Sequence, residues 1–390
     1  MPAPASRLGA LPPYPFATLN QRVRELNAAG HNVLNIDIGN PDMPPPDCVV
    51  SALERSASDP RHHGYSGYKG TAIFREAVAR YYARRFDIHI DPETQVLPLL
   101  GSKEGIVNLT LAYVDRGDSV LVPDIGYPAY SLGAYLAGAS VSFVPVRAEH
   151  GFRMDLSELE HLVSGRTKIM WVNFPNNPTG AVCDGDHYQE LVNFCRRHDV
   201  LLASDNPYVD VTYDEFSAGS VLQADGAFDT AVEFISFSKT YNMAGWRLGA
   251  AVGSARVLQN LLTIKSNVDS GHFEAIYDAG ISAIDHTPQS WINARNATYQ
   301  RRRDLIIDAL PHIGLVAQRP LGSLYIWAKV VEGDGTSYAE QALTEAYVSL
   351  APGAIYGPGG VPYVRMSVAI PDQSLDQALS RLKAWYAGRH

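Results

Sequence analysis

Cysteine is scarce: Cys48, Cys183 and Cys195 are the only three in 390 residues, and they form neither a C-x-x-C pair nor the clustered spacing of a zinc site. A disulfide framework and a structural metal are therefore not expected, and free thiols in a reducing compartment are. Positive charge is also short. Lys and Arg number 32 against 41 Asp and Glu, a net charge of -9, so no basic field exists to draw nucleic acid or anionic lipid. No uninterrupted apolar run reaches the ~20 residues that a membrane span needs. The opening MPAPASRLGALPPYPF lacks a basic region followed by an apolar core and a small-residue cleavage site. These absences leave a cytoplasmic protein that works on small molecules, with no nucleic-acid or membrane partner.

What is present is core-forming material, 46% hydrophobic residues over a length that suits two or three domains. Short apolar runs ending in Asp, Gly, Pro or Asn alternate with longer helix-like stretches, the pattern of parallel strands and their crossover helices. The fold class is α/β. The clearest strand candidates are Ser119 to Pro123, Lys168 to Asn173, Val200 to Ser204, Ala231 to Ser236 and Leu248 to Val252. Between them, Asp186 to His198 sets Tyr188, Leu191, Val192 and Cys195 on one face at helical spacing. The C-terminal part differs, with a charged helix around Gln300 to Leu310, a Gly- and Pro-rich stretch at Gly353 to Pro362 and an amphipathic helix from Leu375 to Tyr386. The resulting division is an N-terminal arm over residues 1–44, a large domain over 45–285 and a smaller α/β domain over 286–390. The arm is expected to pack against the smaller domain and not on the large sheet.

The most specific segment is ISFSKTYNMAGWRLG, Ile235 to Gly249. An ammonium placed directly after a buried strand is costly to desolvate unless it is neutralised or covalently used, and a Schiff base at Lys239 does both. Ser236, Ser238 and Arg247 supply hydroxyls and a guanidinium suited to a phosphate. An S-x-S-K sequence alone reads as a surface lysine in a polar loop; W-R-L-G at this spacing argues against that. In LLASDNPYVD an apolar strand ends at Asp205, outside the carboxyl ends of the sheet where ligands sit in open α/β folds. A carboxylate there keeps the ring nitrogen of pyridoxal phosphate (PLP) protonated, since an opposite charge favours the charged form. Tyr208, three residues on, can donate to the ring hydroxyl. A helix N-cap is the competing reading of Asp205.

Three further segments add to this. Asn177 in WVNFPNNPTGAV can donate to the ring oxygen and orient a substrate carboxylate, although N-N-P-T-G is also a generic turn. In LLGSKEGIVNLTLAYV, Gly101 and Ser102 precede a helix whose Ile106, Leu109 and Tyr113 face inward, an anion site to which Lys103 adds charge. The spacing is not that of a nucleotide-binding G-x-x-x-x-G-K-[ST] loop. Arg365, in the alternating strand VRMSVAI, needs a partner, either an internal carboxylate or the α-carboxylate of a substrate held bidentately.

With these five segments in this order and spacing, the chain resembles the fold-type I PLP-dependent aminotransferases of class I and II over nearly its whole length. The resemblance implies a large domain built on a mostly parallel seven-stranded sheet, PLP as cofactor, amino-acid and 2-oxo-acid substrates, and a homodimer. It implies that Lys239 carries the cofactor, that Asp205 faces the ring nitrogen, and that Tyr208 and Asn177 bond the ring oxygen. Ser102, Lys103, Ser236, Ser238 and Arg247 would form the phosphate cup, and Tyr127 in PDIGYPAY would stack on the ring. Gly39 in IDIGNPD would bring a backbone N–H to the carboxylate held by Arg365, and Tyr65 in GYSGYKG would reach the neighbouring subunit's phosphate. Within the class, LPPYPF, GNPDMPPP, HGYSGYKG, VLPLLGSKEG and FSKTYNMAGWRLG are similar to the versions of LL-diaminopimelate aminotransferases. That likeness carries substrate contacts to Tyr14, Gly39, Lys103, Tyr127, Asn177 and Arg365, with Asn267 in IKSNVDSG as counterpart of a later asparagine. Aspartate, alanine, aromatic and N-succinyldiaminopimelate aminotransferases remain open beside it, as do C–S β-lyases, which use the same cofactor cup.

Overall fold

Seven of the apolar runs pair into one sheet: β1 (Val96–Leu99), β2 (Ser119–Pro123), β3 (Ser140–Val144), β4 (Thr167–Val172), β5 (Leu201–Asp205), β6 (Ala231–Ser236) and β7 (Gly249–Gly253). The computed structural model describes residues 1–11 and 15–389. Spatial order is β1-β7-β6-β5-β4-β2-β3. Strand β7 runs antiparallel to both neighbours, and the remaining pairs are parallel. Because β1 is antiparallel to β7, it points the same way as β2 to β6, so their carboxyl ends share one edge. That edge carries the loops after β1, β2, β4, β5 and β6, to which Ser102, Tyr127, Asn177, Tyr208 and Lys239 belong.

Strands β2, β5, β6 and β7 are buried at every position, as helices on both faces require. The two strands missing from the clearest candidates, β1 and β3, are the sheet's edges. Strand β3 reads SVSFV and is partly exposed, and β1 contains Pro98, which only an edge tolerates. Boundaries elsewhere shift by one residue, as at Thr167–Val172 and Leu201–Asp205. The helix Gly185–His198 is capped by Asp184, whose side chain accepts from His187 N at 2.9 Å.

A second core gathers around a four-stranded antiparallel sheet of Leu315–Val316, Tyr325–Val330, Ala351–Pro352 and Tyr363–Ser367. Leu324, Ile326, Val364, Met366, Leu375 and Leu382 fill it. The strand bearing Arg365 is not alternating as expected; Val364, Arg365, Met366 and Ser367 are all buried, because both of its faces are covered. The charged helix begins earlier than its sequence suggests, spanning Gln289–Ala309, since its buried face includes Arg295, Arg302 and Arg303 and so breaks apolar periodicity. Leading residues pack in both directions. Val23 and Val33 meet Leu343, and Leu34–Asn35 pairs in parallel with Val348–Ser349. Phe16, in contrast, packs on the core of the seven-stranded sheet, and the turn Ser6–Ala10 lies against the helix Ala129–Ala137. Among the described residues no helix is long and apolar enough to cross a membrane.

Candidate active site

A cavity of about 190 Å³ opens at the carboxyl edge of the seven-stranded sheet, and its wall brings together Ser102, Lys103, Tyr127, Asn177, Asp205, Tyr208, Ser236, Ser238, Lys239 and Arg247. These residues come from five separate loops. At one end the helix Ser102–Tyr113 presents its first turn beside the Ser236 and Ser238 hydroxyls and Arg247. Gly101 sits at φ 82, in the left-handed region, and a Cβ there would overlap the Arg247 guanidinium. Arg247 is itself left-handed at φ 58, and its carbonyl bonds His272 Nε2 at 2.8 Å. Burial lowers the Lys103 ammonium, and the nearby Arg247 lowers it further. Two cations, three hydroxyls and a helix N-terminus leave this end short of negative charge, the environment a phosphate dianion fits.

Asp205 lies at the other end, at the tip of β5. Its Oδ2 accepts from Tyr130 Oη at 2.8 Å, while Oδ1 is buried with no hydrogen-bond partner among the described residues. Burial pushes its pKa up to about 7 against the lowering effect of the Tyr130 bond. The carboxylate therefore favours a cation or N–H donor brought into the cavity, as a pyridinium nitrogen would be. It is not an N-cap: its carboxylate bonds a tyrosine and not a helix N–H. Asn173 fixes the floor, donating to Asp205 O at 2.6 Å and accepting from Asn177 N at 2.7 Å.

Lys239 follows β6 within the single helical turn Phe237–Thr240. Burial lowers its pKa, and Arg365 and Arg247 add to the effect while Tyr325 opposes it. An amine held down in this way is a better nucleophile toward an aldehyde. Its Nζ donates to Gly39 O at 2.5 Å. A Cβ on Gly39 would overlap the Tyr325 hydroxyl, so only glycine fits there.

Arg365 is buried between Tyr325 and Tyr356, whose ring centroids lie 3.9 Å and 4.9 Å from its Cζ. Its Nη1 donates to Asn177 Oδ1 at 2.9 Å, its Nη2 bonds the Asp37 carbonyl, and its Nε has no partner among the described residues. Among the described residues it has no salt bridge to a carboxylate, so the internal-partner reading of Arg365 fails on geometry. A buried guanidinium bonded to neutral oxygens is open to an incoming carboxylate.

Two expected residues are elsewhere, and a third is not described. Tyr65 is 91% exposed and does not line this chain's cavity. Asn267 lies on an exposed turn, its amide donating to Thr263 O at 2.8 Å. Tyr14 falls outside the described residues. Tyr113 is only half-buried, unlike Ile106 and Leu109. Sequence reasoning also missed Tyr130, Asn173 and Tyr325. For Tyr130 a signal existed, one helical turn after Tyr127, and Asn173 is a polar residue at the end of a buried strand. Tyr325 is one more aromatic in an apolar strand, with nothing local to mark it.

The cavity features together fit PLP: a cationic cup for the phosphate, a lone carboxylate oxygen for the ring nitrogen, a phenol and an amide for the ring oxygen, and a depressed lysine. Residues 31–382 match the family described as aminotransferase class I and II. The chain is 42% identical over 380 residues to an LL-diaminopimelate aminotransferase of Moorella thermoacetica, covering 97% of each chain. It is 40% identical over 379 residues to one from Dehalococcoides mccartyi, again covering 97% of each. Among solved structures, apo-BacF from Bacillus subtilis superposes with a TM-score of 0.94 at 31% identity, covering 99% of each chain.

Proposed function

Since the chain belongs to the class I and II aminotransferases and is a PLP-dependent transaminase of fold type I, we propose that it is an LL-diaminopimelate aminotransferase with 2-oxoglutarate as acceptor. Near-full-length similarity to LL-diaminopimelate aminotransferases carries this reading. The domain division at residues 44/45 and 285/286 goes with it, and the free thiols Cys48, Cys183 and Cys195 support a cytoplasmic location.

PLP, when bound, supplies the electron sink for the substrate's α-carbanion. Ser102, Lys103, Ser236, Ser238 and Arg247 bind its phosphate, and Asp205 keeps its ring nitrogen protonated. Tyr208 and Asn177 donate to the ring oxygen, and Tyr127 covers one face. Arg365 holds the α-carboxylate beside the Gly39 N–H, which leaves the α-carbon near Lys239. The Lys239 amine would then take the proton from the substrate's α-carbon. Burial lowers its pKa and so favours the neutral amine that this step needs.

The distal end of the substrate carries both an ammonium and a carboxylate. By family likeness, Tyr14 and Lys103 hold it through polar contacts without a matching net charge. The homodimer belongs to the same proposal. The segments around residues 65–70 and 266–273 pack together, Ser66 Oγ donating to His272 O at 2.8 Å. They expose Tyr65, Tyr68, Val268 and Phe273, an apolar flank that suits a second copy. On this reading Tyr65 and Asn267 both serve the partner's site.

A donor screen scored by conversion of the PLP absorption band to that of pyridoxamine phosphate tests the substrate. LL-diaminopimelate and glutamate should convert it fastest, and Tyr14→Phe should hurt the former much more than the latter. An enzyme that ignores LL-diaminopimelate but converts with aspartate, alanine or an aromatic donor refutes the substrate assignment. Pyruvate and ammonia released without an acceptor would instead mark a β-lyase.

A further inference from the structure

Tyr325 lines the same cavity as Lys239 and Asp205, yet none of the roles above falls to it. It opens the strand Tyr325–Val330, where Tyr325 pairs with Ser367 and Trp327 with Arg365. Tyr325 and Arg365 are thus diagonal neighbours on one face of an antiparallel pair, within reach for long side chains. The guanidinium lies over the tyrosine ring, with the ring centroid 3.9 Å from Arg365 Cζ. At the other end, its hydroxyl accepts from Tyr208 Oη at 3.1 Å in the cofactor-free protein and occupies the space that a Cβ on Gly39 would take. One buried side chain therefore touches the carboxylate-binding arginine, the ring-oxygen donor and the residue whose carbonyl anchors Lys239.

We propose that Tyr325 is a positioning residue: its ring fixes the plane of Arg365, and its hydroxyl, by donating to Tyr208, turns the Tyr208 hydrogen toward the cofactor's ring oxygen. The inference rests on the reading of this cavity as the PLP site with Arg365 as carboxylate holder. Two phenols share a single hydrogen bond, and only one can donate. Without cofactor the Tyr208 hydrogen goes to Tyr325; once Tyr208 donates into the cavity, the bond reverses and Tyr325, the phenol in contact with it, becomes the donor. Each donor in such a chain strengthens the next. The groups facing Tyr325 are Arg365, Lys239 and Tyr208, with Tyr356 beyond the guanidinium. Burial alone would raise the Tyr325 phenol, but Arg365 and Lys239, together with the bonds it accepts from Tyr208 and Arg365, bring it below its ordinary value.

The test is a spectrophotometric pH titration of the PLP-loaded protein, comparing wild type, Tyr325→Phe, Tyr208→Phe and the double variant. Weaker donation to the ring oxygen makes that oxygen more basic. The midpoint of the cofactor band should therefore rise in Tyr325→Phe, by less than in Tyr208→Phe. The double variant should match Tyr208→Phe, since Tyr325 acts through Tyr208. With Arg365 less firmly held, KM for the amino acid should rise severalfold more than kcat falls. Tyr338→Phe, which loses a buried bond to Ile313 O at 2.6 Å, provides the comparison: lower thermal stability and no movement of the midpoint. An unmoved or lowered midpoint in Tyr325→Phe, shifts that add in the double variant, or an equal shift in Tyr338→Phe would each overturn the proposal. A wild type that shows no PLP band would instead bring down the cofactor reading and this inference with it.

Discussion

Tyr130 donates to Oδ2 of Asp205 at 2.8 Å and leaves Oδ1 buried without a partner among the described residues. The phenol holds the carboxylate in one rotamer, with its second oxygen ready for a ring N–H. Tyr130 is in turn stacked on Trp171 at 5.0 Å and an interplanar angle of 6°, so the orientation is set by the core. The arrangement costs stability in the cofactor-free protein and recovers it when a cation enters.

That cost has a definite sign. A carboxyl whose folded pKa is raised from 3.8 to about 7 contributes stability below pH ~4 that is lost as pH rises through 7, on the order of 4 kcal/mol for the whole range. Cofactor-free Asp205→Asn should therefore melt higher than the cofactor-free wild type at pH 8, and the difference should shrink toward pH 4. Loaded Asp205→Asn should keep its PLP yet lose roughly 100-fold or more in kcat. Equal melting temperatures at pH 8, or near wild-type turnover, would remove Asp205 from the ring nitrogen.

Arg365→Lys keeps a charge but loses the planar fork that spans Asn177, the Asp37 carbonyl and a substrate carboxylate. KM for the amino acid should rise about tenfold or more with the PLP spectrum unchanged. Unaltered kinetics with lower thermal stability would mean that the arginine serves only packing.

Active-site sharing can be read from mixed dimers. Lys239→Ala and Tyr65→Phe should each have low activity alone, and co-refolding them should rebuild one complete site per heterodimer, about a quarter of wild-type activity in a statistical mixture. Activity that never exceeds the sum of the parents would place Tyr65 outside the partner's site.

Arg295, buried in the helix Gln289–Ala309, donates to Lys239 O at 3.0 Å and Asp210 O at 2.5 Å and also bonds the Thr240 carbonyl. Arg295→Met strands these carbonyls and should lower unfolding stability by about 3 kcal/mol or more in urea titration. A loss below about 0.5 kcal/mol would show that water replaces the guanidinium at no net cost.

Gly101→Ala places a methyl against Arg247 in a left-handed backbone position. PLP dissociation constants from equilibrium dialysis should rise about tenfold, since a displaced guanidinium loses charge-assisted bonds to phosphate. Unchanged affinity would mean that Arg247 does not contact the phosphate.

The sequence by itself determined the α/β class, the buried central strands, the reaction class and ten of the residues that line one cavity. The physical reason is that these signals are local. A continuous apolar run needs no partner to announce a strand buried on both faces. Small, hydroxylic and charged residues clustered just after such strands mark the ligand-binding edge of the sheet. What only the tertiary structure decided lies between segments distant in the chain. Of the edge strands, β3 carries a weak apolar signal because it is partly exposed and β1 is interrupted by Pro98, and the buried arginines of Gln289–Ala309 read as surface charge until their carbonyl and carboxylate partners are in place. That Arg365 bonds neutral oxygens and not an internal carboxylate depends on residues 177 and 37 meeting strand Tyr363–Ser367. Tyr325 acquires its place only when that strand pairs beside it and the loop holding Gly39 closes over its hydroxyl. A side chain's chemistry is written in its own residue, but its partners are set by packing, and packing is decided by the whole chain at once.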